Sequence, residues 1–372
     1  MTRRIGLLPW LLPCALVVSC SNDEPTEPLP SGLESVTLAE SPAGGAFLDI
    51  AFSGTRGIAV GAIASGVSPN QTFTPYLASL DPNGTWVPDA TVPLPATGFL
   101  TAVSITSSGK AVIAGADASG LSGFILDERN GWSQHSVPLA GLSFASNDDT
   151  LRLAGYSSSS EQAVISTSPD SWVTETLPFP VGQNERGVQD LSGSAGGWAA
   201  CGFDDGGDGT PESPNSVLFL NQGMGWQRIS VACGGCSNWE FRSVGVGQTG
   251  GVLLGGAETN FAGGGDEYTA SLLLRSVSGD WASIVLPKPT DLKRVNDILI
   301  AQDGAVYLAC GMGGTWYLMR WAAGGGIVRD ATLTGARINR LAESPDGTIW
   351  VSGAVLDAEG NVLHAAIWKR IG

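Results

Sequence analysis

The chain has 372 residues, 43% of them hydrophobic and only 15% charged, with 52 glycines and a formal net charge of −16 at pH 7. A charged share below the roughly 25% of ordinary globular domains, with glycine at about twice its usual frequency, excludes a helical bundle, a coiled coil and a disordered acidic chain. Nucleic acid and anionic lipid both repel so acidic a body, so a membrane would have to hold it by something other than charge.

Residues 1–19 read as a targeting leader. Arg3 and Arg4 precede an apolar run from Ile5 to Ser19 that is too short for a span of about 20 residues and is broken by Pro9 and Pro13. The run ends in Val17-Val18-Ser19-Cys20, which resembles the lipobox of bacterial lipoproteins. That resemblance implies cleavage before Cys20, a diacylglycerol on its thiol and an acyl chain on the new amino terminus. Ser21 in place of Asp implies the outer membrane of a two-membraned bacterium, with the bilayer as a partner through acylated Cys20. An ordinary signal peptide with a chance cysteine is the alternative. Residues 20–32 are Pro-rich and polar, a tether ahead of a body over 33–372. Loss of Arg3 and Arg4 with the leader leaves the remainder two units more negative still.

From residue 33 onward short apolar strands alternate with Gly, Asp, Asn and Ser turns. A strand, a polar turn and a second strand ending in a small residue plus glycine recur, with the glycines at 61, 115, 155, 202, 256, 311 and 353. Each copy continues into a loop, a third strand, a turn and a fourth strand; Trp86, Trp132, Trp172, Trp226 and Trp281 mark that last turn. A period of about 40–55 residues with four strands per copy predicts an all-β, seven-bladed β-propeller of four antiparallel strands per blade. Residues 33–40 look like a displaced fourth strand and are expected to close the last blade, whose own strands lie near 338–343, 348–353 and 362–369. A pair of β-sandwiches is the alternative.

Two stretches resemble known repeats. Leu48-Asp49-Ile50-Ala51-Phe52, taken with Gly197-Trp198-Ala199-Ala200-Cys201-Gly202, resembles the repeat of photosystem assembly-factor propellers. Ser344-Pro345-Asp346-Gly347-Thr348-Ile349-Trp350 is similar to the Asp-box of sialidase-type propellers and to the repeats of sensor-kinase propellers. These resemblances imply architecture over most of residues 33–372, in a group that includes binders, assembly factors and glycosidases.

Four candidate sites follow. Cys233-Gly-Gly-Cys236 lies in the connector after the fourth copy; a local disulfide suits an oxidising compartment better than a redox or zinc role, since no helix and no histidine are near. Cys201 and Cys310 occupy matching places in the fourth and sixth copies, too far apart to bridge, and Cys201 could instead reach the 233–236 connector. Arg186, Arg242, Arg294 and Arg337 fall at or just before the first strand of consecutive copies, so they would ring half of the central mouth and favour a carboxylate, sulfate or acidic polymer. The alternative pairs each with a nearby acid such as Glu185 or Glu240. Asp204, Asp208 and Glu212, with Glu258, Asp266 and Glu267 in the next copy, faintly resemble a calcium loop, against the alternative of a solvated acidic loop. No other cofactor is implied. His135 and His364 read as structural or exposed.

The functional expectation is a membrane-anchored binding or scaffold module using the loop-rich face, where long loops such as 62–75 lie, toward a protein, glycan or small anionic ligand, with no catalytic residue identified. A sialidase-like or other polysaccharide-acting enzyme and an envelope-protein assembly factor are the alternatives.

Overall fold

The computed structural model describes residues 32–371 apart from 67–70, 120–121, 138, 148–149, 158–162, 169–170, 179–185, 205–214, 232–238, 261–266, 288–291, 313 and 323–324. After β1 (Leu33–Ser35), the strands β2 (Gly45–Ser53), β3 (Arg56–Ser65), β4 (Thr72–Leu80) and β5 (Trp86–Pro88) pair in sequence order as an antiparallel meander. So do β6 (Phe99–Ile105), β7 (Ala111–Ala116), β8 (Gly123–Asp127) and β9 (Ser133–Val137). Next come β10 (Ala140–Asn147), β11 (Thr150–Ser157), β12 (Ala163–Ser168) and β13 (Ser171–Thr176), then β14 (Arg186–Ser194), β15 (Gly197–Asp204), β16 (Asn215–Asn221) and β17 (Gln227–Ile229). These eight form one sheet.

Two further meanders are β18 (Trp239–Val246), β19 (Val252–Asn260), β20 (Glu267–Arg275) and β21 (Trp281–Ile284), and β22 (Val295–Ile300), β23 (Val306–Met312), β24 (Thr315–Trp321) and β25 (Ile327–Thr334). Finally β26 (Ala336–Glu343), β27 (Ile349–Leu356) and β28 (Val362–Arg370) pair in turn, with β1 added outside β28. The repeat predicts one sheet per copy, whereas the described strands form six. The difference arises because the end of β11 pairs with the start of β14, Tyr156 opposite Gly187 and Ser157 opposite Arg186, fusing the third and fourth copies.

The first strands β2, β6, β10, β14, β18, β22 and β26 each border the next, and β26 borders β2, so the sheets close into a ring. Burial explains the continuous apolar runs. β7 is buried along its whole length, whereas the outer strand β9 is exposed at four of five positions. Each core is shared by neighbouring sheets: Ile58, Val60 and Leu77 pack with Leu100, Val103 and Ile113, and at the closure Phe47, Ile50 and Trp86 pack with Trp350, Ala365 and Ile367. Burying both faces of a sheet between neighbours is what a lone four-stranded sheet cannot do.

The N-terminal segment does close the last sheet, but over fewer residues than the predicted 33–40. Leu33 to Ser35 pair with Arg370 to Trp368 and Val36 N–H donates to Ile367 O. The chain then crosses to the first sheet, where Ala39 N–H donates to Trp86 O and Trp86 N–H to Thr37 O. Val36 and Leu38 pack into the closing core, so one short segment fastens the outer edges of both the last and the first sheets. The expected loop 62–75 is also shorter, because β3 and β4 stay paired as far as Ser65 opposite Thr72.

The recurring glycines have a physical cause. Each inner strand slips by a residue against its partner at one level, and a bulge presses its backbone onto the residue opposite. A Cβ on Gly61 would lie 1.9 Å from Ala46 O, and one on Gly353 1.9 Å from Arg337 O. The sixth copy departs from this. Cys310, not Gly311, faces Val295 there, whereas Cys201 faces Asp190, so the two cysteines sit one position apart in register rather than in matching places.

Candidate functional site

The bulge in each inner strand delivers the following residue to the ring axis. These residues are Asp49, Ala102, Ser143, Asp190, Ser243, Asp297 and Arg340. All but Ala102 have side chains that link one inner strand to another. Asp49 Oδ2 accepts from Val103 N–H at 2.8 Å, Asp190 Oδ2 from Val244 N–H at 2.9 Å, Ser243 Oγ from Ile298 N–H at 2.9 Å and Asp297 Oδ2 from Leu341 N–H at 2.6 Å. Arg340 joins the far sides: Nη2 lies 2.6 Å from Asp190 Oδ1 and 3.2 Å from Ser143 Oγ, Nη1 3.1 Å from Asp297 Oδ1, and Nε 3.6 Å from Asp49 Oδ1.

Three carboxylates thus share one guanidinium. Burial disfavours the Arg340 charge, but Asp190, Asp297 and Asp49 outweigh it and push its proton affinity well above the ordinary arginine value. For Asp49 the balance runs the other way. Burial raises its carboxyl to about 6 against the pull of Arg340 and the Val103 and Ile50 N–H donors. Asp297 also rises to about 6, through burial and the neighbouring Asp190, with Arg340 opposing.

A carboxyl whose folded pKa lies above its unfolded 3.8 stabilises the fold below about pH 4 and loses that contribution as pH rises through about 6. The stability difference between the wild-type chain and Asp49→Asn should therefore shift toward the wild type on acidification from pH 7 to 4, by on the order of 2–3 kcal/mol. Urea midpoints of both chains across that range measure it; parallel curves would contradict the assignment.

Sequence reading misses this cluster. Its signal lies in the triplets Phe47-Leu48-Asp49, Val188-Gln189-Asp190, Val295-Asn296-Asp297 and Ile338-Asn339-Arg340, where a polar residue follows an apolar one by two. The four arginines expected at the mouth do not share a level. Counted from the axial position, Arg294 and Arg337 lie three residues before it, Arg242 one and Arg186 four. Every inner strand carries the same one-residue bulge, so the levels differ because the arginines stand at different distances ahead of it.

Arg242 does pair with Glu240, as the acid-pairing alternative expects. Arg337 is exposed at the mouth, and enclosure by the surrounding strands, then the charge of Arg242, pull its guanidinium below the usual arginine range. The structure therefore brings Arg242 and Arg337 within electrostatic reach of each other.

Other expected residues divide by place. Cys20, Asp208, Glu212, Asp266, Cys233 and Cys236 lie outside the described residues, and of Asp204 only the backbone, at the end of β15, is described. Cys201 and Cys310 are fully buried free thiols whose pKa burial raises, which makes them inert. His135 lies on exposed β9 beside Ser133 Oγ, and His364 on β28. The Asp-box-like stretch is a turn between β26 and β27. Ser344 Oγ donates to Asp346 Oδ1 at 2.6 Å and accepts from Trp350 Nε1 at 3.0 Å, and the turn lies at the ring face away from the arginines. Trp86, Trp172 and Trp281 fall within the fourth strands of their copies, and Trp132 and Trp226 immediately before theirs.

No family model matches the chain, and no curated protein matches it. Solved structures do match. YCF48 bound to D1 peptide superposes with a TM-score of 0.56 at 16% identity, over 93% of this chain and 100% of that one. Polysaccharide lyase Uly1 gives 0.62 at 9% identity, over 93% and 94%. The β-propeller domain of the Trilobed protease from Pyrococcus furiosus gives 0.51 at 12% identity, over 88% and 94%. At such identities the likeness is one of fold, and it agrees with the strand pairing: the chain is an all-β β-propeller with four antiparallel strands per blade.

Proposed function

We propose that this chain is a lipid-anchored extracytoplasmic binding protein that takes an anionic ligand at the arginine-bearing mouth of a seven-bladed propeller. The blade count reads the eight-stranded sheet as two blades, because each half is a complete four-strand run and only two residue pairs join them. The anchor rests on Cys20 at the end of its apolar leader, and an outer-membrane address on Ser21. Incorporation of labelled palmitate that Cys20→Ser abolishes is the expected result; unlabelled wild-type chain would remove the anchor from the proposal.

The observation that carries the ligand class is Arg337, exposed at the mouth with its charge opposed by enclosure and by Arg242. A bound anion relieves both costs at once, and charge-assisted hydrogen bonds to arginine are the strong kind. The description of YCF48 as bound to D1 peptide supports a protein partner, an assembly role among them, as one source of such an anion. Titration calorimetry with small carboxylates and sulfate should show binding that weakens about 10- to 100-fold in the Arg242→Ala, Arg337→Ala double variant. Equal affinity in a variant with unchanged circular dichroism would refute the mouth as the site.

A further inference from the structure

The axial row sets three carboxylates against one guanidinium, so with every group ionised it carries two uncompensated negative charges. Asp49, Asp190 and Asp297 are all buried, and uncompensated charge in such surroundings is costly. The contacts of Ser243 show where a proton removes part of that cost. Ser243 Oγ accepts from Ile298 N–H at 2.9 Å and lies 2.9 Å from Asp190 Oδ2 and 3.4 Å from Asp297 Oδ1. A hydroxyl has one hydrogen to donate, and here two carboxyl groups face it.

Asp190 is the nearer of the two and also receives Val244 N–H, Ser143 Oγ and Arg340 Nη2, a donor set that favours its ionised form. Asp297 has Leu341 N–H and Arg340 Nη1 as its close donors, while Ile298 N–H is given to Ser243. Its Oδ1 can therefore carry a hydrogen toward the second lone pair of Ser243 Oγ. Asp49 accepts from the Ile50 and Val103 N–H groups and has no hydroxyl among its hydrogen-bond partners in the described residues.

We propose that Asp297 and Asp190 share one retained proton through Ser243, Asp297 Oδ1–H donating to Ser243 Oγ and Ser243 O–H to Asp190 Oδ2, and that this proton is a pH-sensitive lock on the ring. The same three residues take the Val244, Ile298 and Leu341 N–H groups, so they join β14 to β18, β18 to β22 and β22 to β26. Loss of the proton to solvent leaves two carboxylates facing each other across a single hydrogen, and the three joints loosen together. Burial, which lifts Asp297 to about 6, sets the change just below neutrality. Arg340 faces Asp297 from β26, Asp190 from β14 and Asp49 from β2, with Arg242, Arg294 and Arg337 nearer the mouth. β19 and β20 pack against β22 through the apolar Leu253 and Leu272, and the thiols of Cys201 on β15 and Cys310 on β23 are kept neutral by burial.

Amide exchange of the full chain in detergent, corrected for the intrinsic rate at each pH, reads the lock. The Val244, Ile298 and Leu341 amides of the wild-type chain are expected to lose at least about tenfold of their protection between pH 5 and 7.5. The loss should persist in Asp49→Asn, which removes the other raised carboxyl, and disappear when Asp297→Asn is added, because the new amide is a permanent donor to Ser243. In infrared titration of Asp49→Asn, the last protonated-carboxyl band is expected to vanish near pH 6, and at lower pH once Ser243→Ala is added. Because the pH dependence is read first on the wild-type chain, a variant that fails to fold does not decide the matter. Protection that does not change with pH in the wild-type chain, or a loss absent from Asp49→Asn or surviving in the double Asn variant, would overturn the lock. An infrared midpoint unmoved by Ser243→Ala would overturn the sharing through Ser243.

Discussion

Replacing Arg340 with alanine should destabilise the ring by about 3–5 kcal/mol, the usual consequence of leaving a buried charge without its partner. Arg340 is the one positive residue in the axial row, and it reaches Asp190 and Ser143 across the axis as well as Asp49 and Asp297 beside it. Each of those carboxylates also holds a backbone N–H of the next inner strand, so repulsion among them strains the joints between blades. Arg340→Lys keeps the charge but not the planar fork that bridges three carboxylates, and is expected to fall between wild type and alanine. Pairing Arg340→Met with Asp190→Asn should recover part of the loss by removing one of the uncompensated charges. Chemical denaturation of these variants beside the wild-type chain at pH 7.5 measures the series; a double variant no more stable than Arg340→Met alone would assign the loss to packing.

Gly353→Ala is the second large effect, at about 3 kcal/mol, the upper end of what overpacking costs. The added methyl would sit 1.9 Å from Arg337 O, and that carbonyl is held by the bulge that places Arg340, so neither side can yield without disturbing the axis. Gly61, Gly202 and Gly256 face their bulges with the same 1.9 Å approach to Ala46, Gly187 and Glu240 oxygens. Gly314 is the control, because a methyl added there would have nothing within 4 Å. Its alanine variant should differ from wild type by no more than about 0.5 kcal/mol. Comparable denaturation midpoints for Gly353→Ala and Gly314→Ala would contradict the role given to the bulge.

These two features show why the fold is easier to read than the site. A glycine forced by a backbone collision recurs wherever the collision recurs, so the repeat and its four-strand unit are visible in the bare sequence at Gly61, Gly115, Gly202, Gly256 and Gly353. The bulge that causes the collision adds a residue to each inner strand, and this addition has no mark of its own in composition. Depth along the axis for Arg186, Arg242, Arg294 and Arg337 follows only once the bulge is placed, and in the Arg337-Ile-Asn-Arg340 frame the apolar-to-polar triplet ending at Arg340 gains its meaning from that bulge. The β11–β14 bridge is not legible either, since two backbone pairs require no particular side chain. Residues 33–40 carry enough apolar pattern to announce an edge strand, but nothing in that pattern records that the chain leaves Ile367 at Val36 and meets Trp86 at Leu38.

The pairing of β1 with β28 also fixes how the ring meets anything attached ahead of it. Leu33 lies opposite Arg370, at the finish of β28, and β28 runs in the same direction as β26, which begins beside Arg337. The polypeptide therefore enters at the face opposite the arginine opening, so a support joined upstream attaches on that side. A pull on that support acts along β1, across hydrogen bonds that lie perpendicular to it, so the load is carried in shear by several bonds together instead of being peeled away one by one.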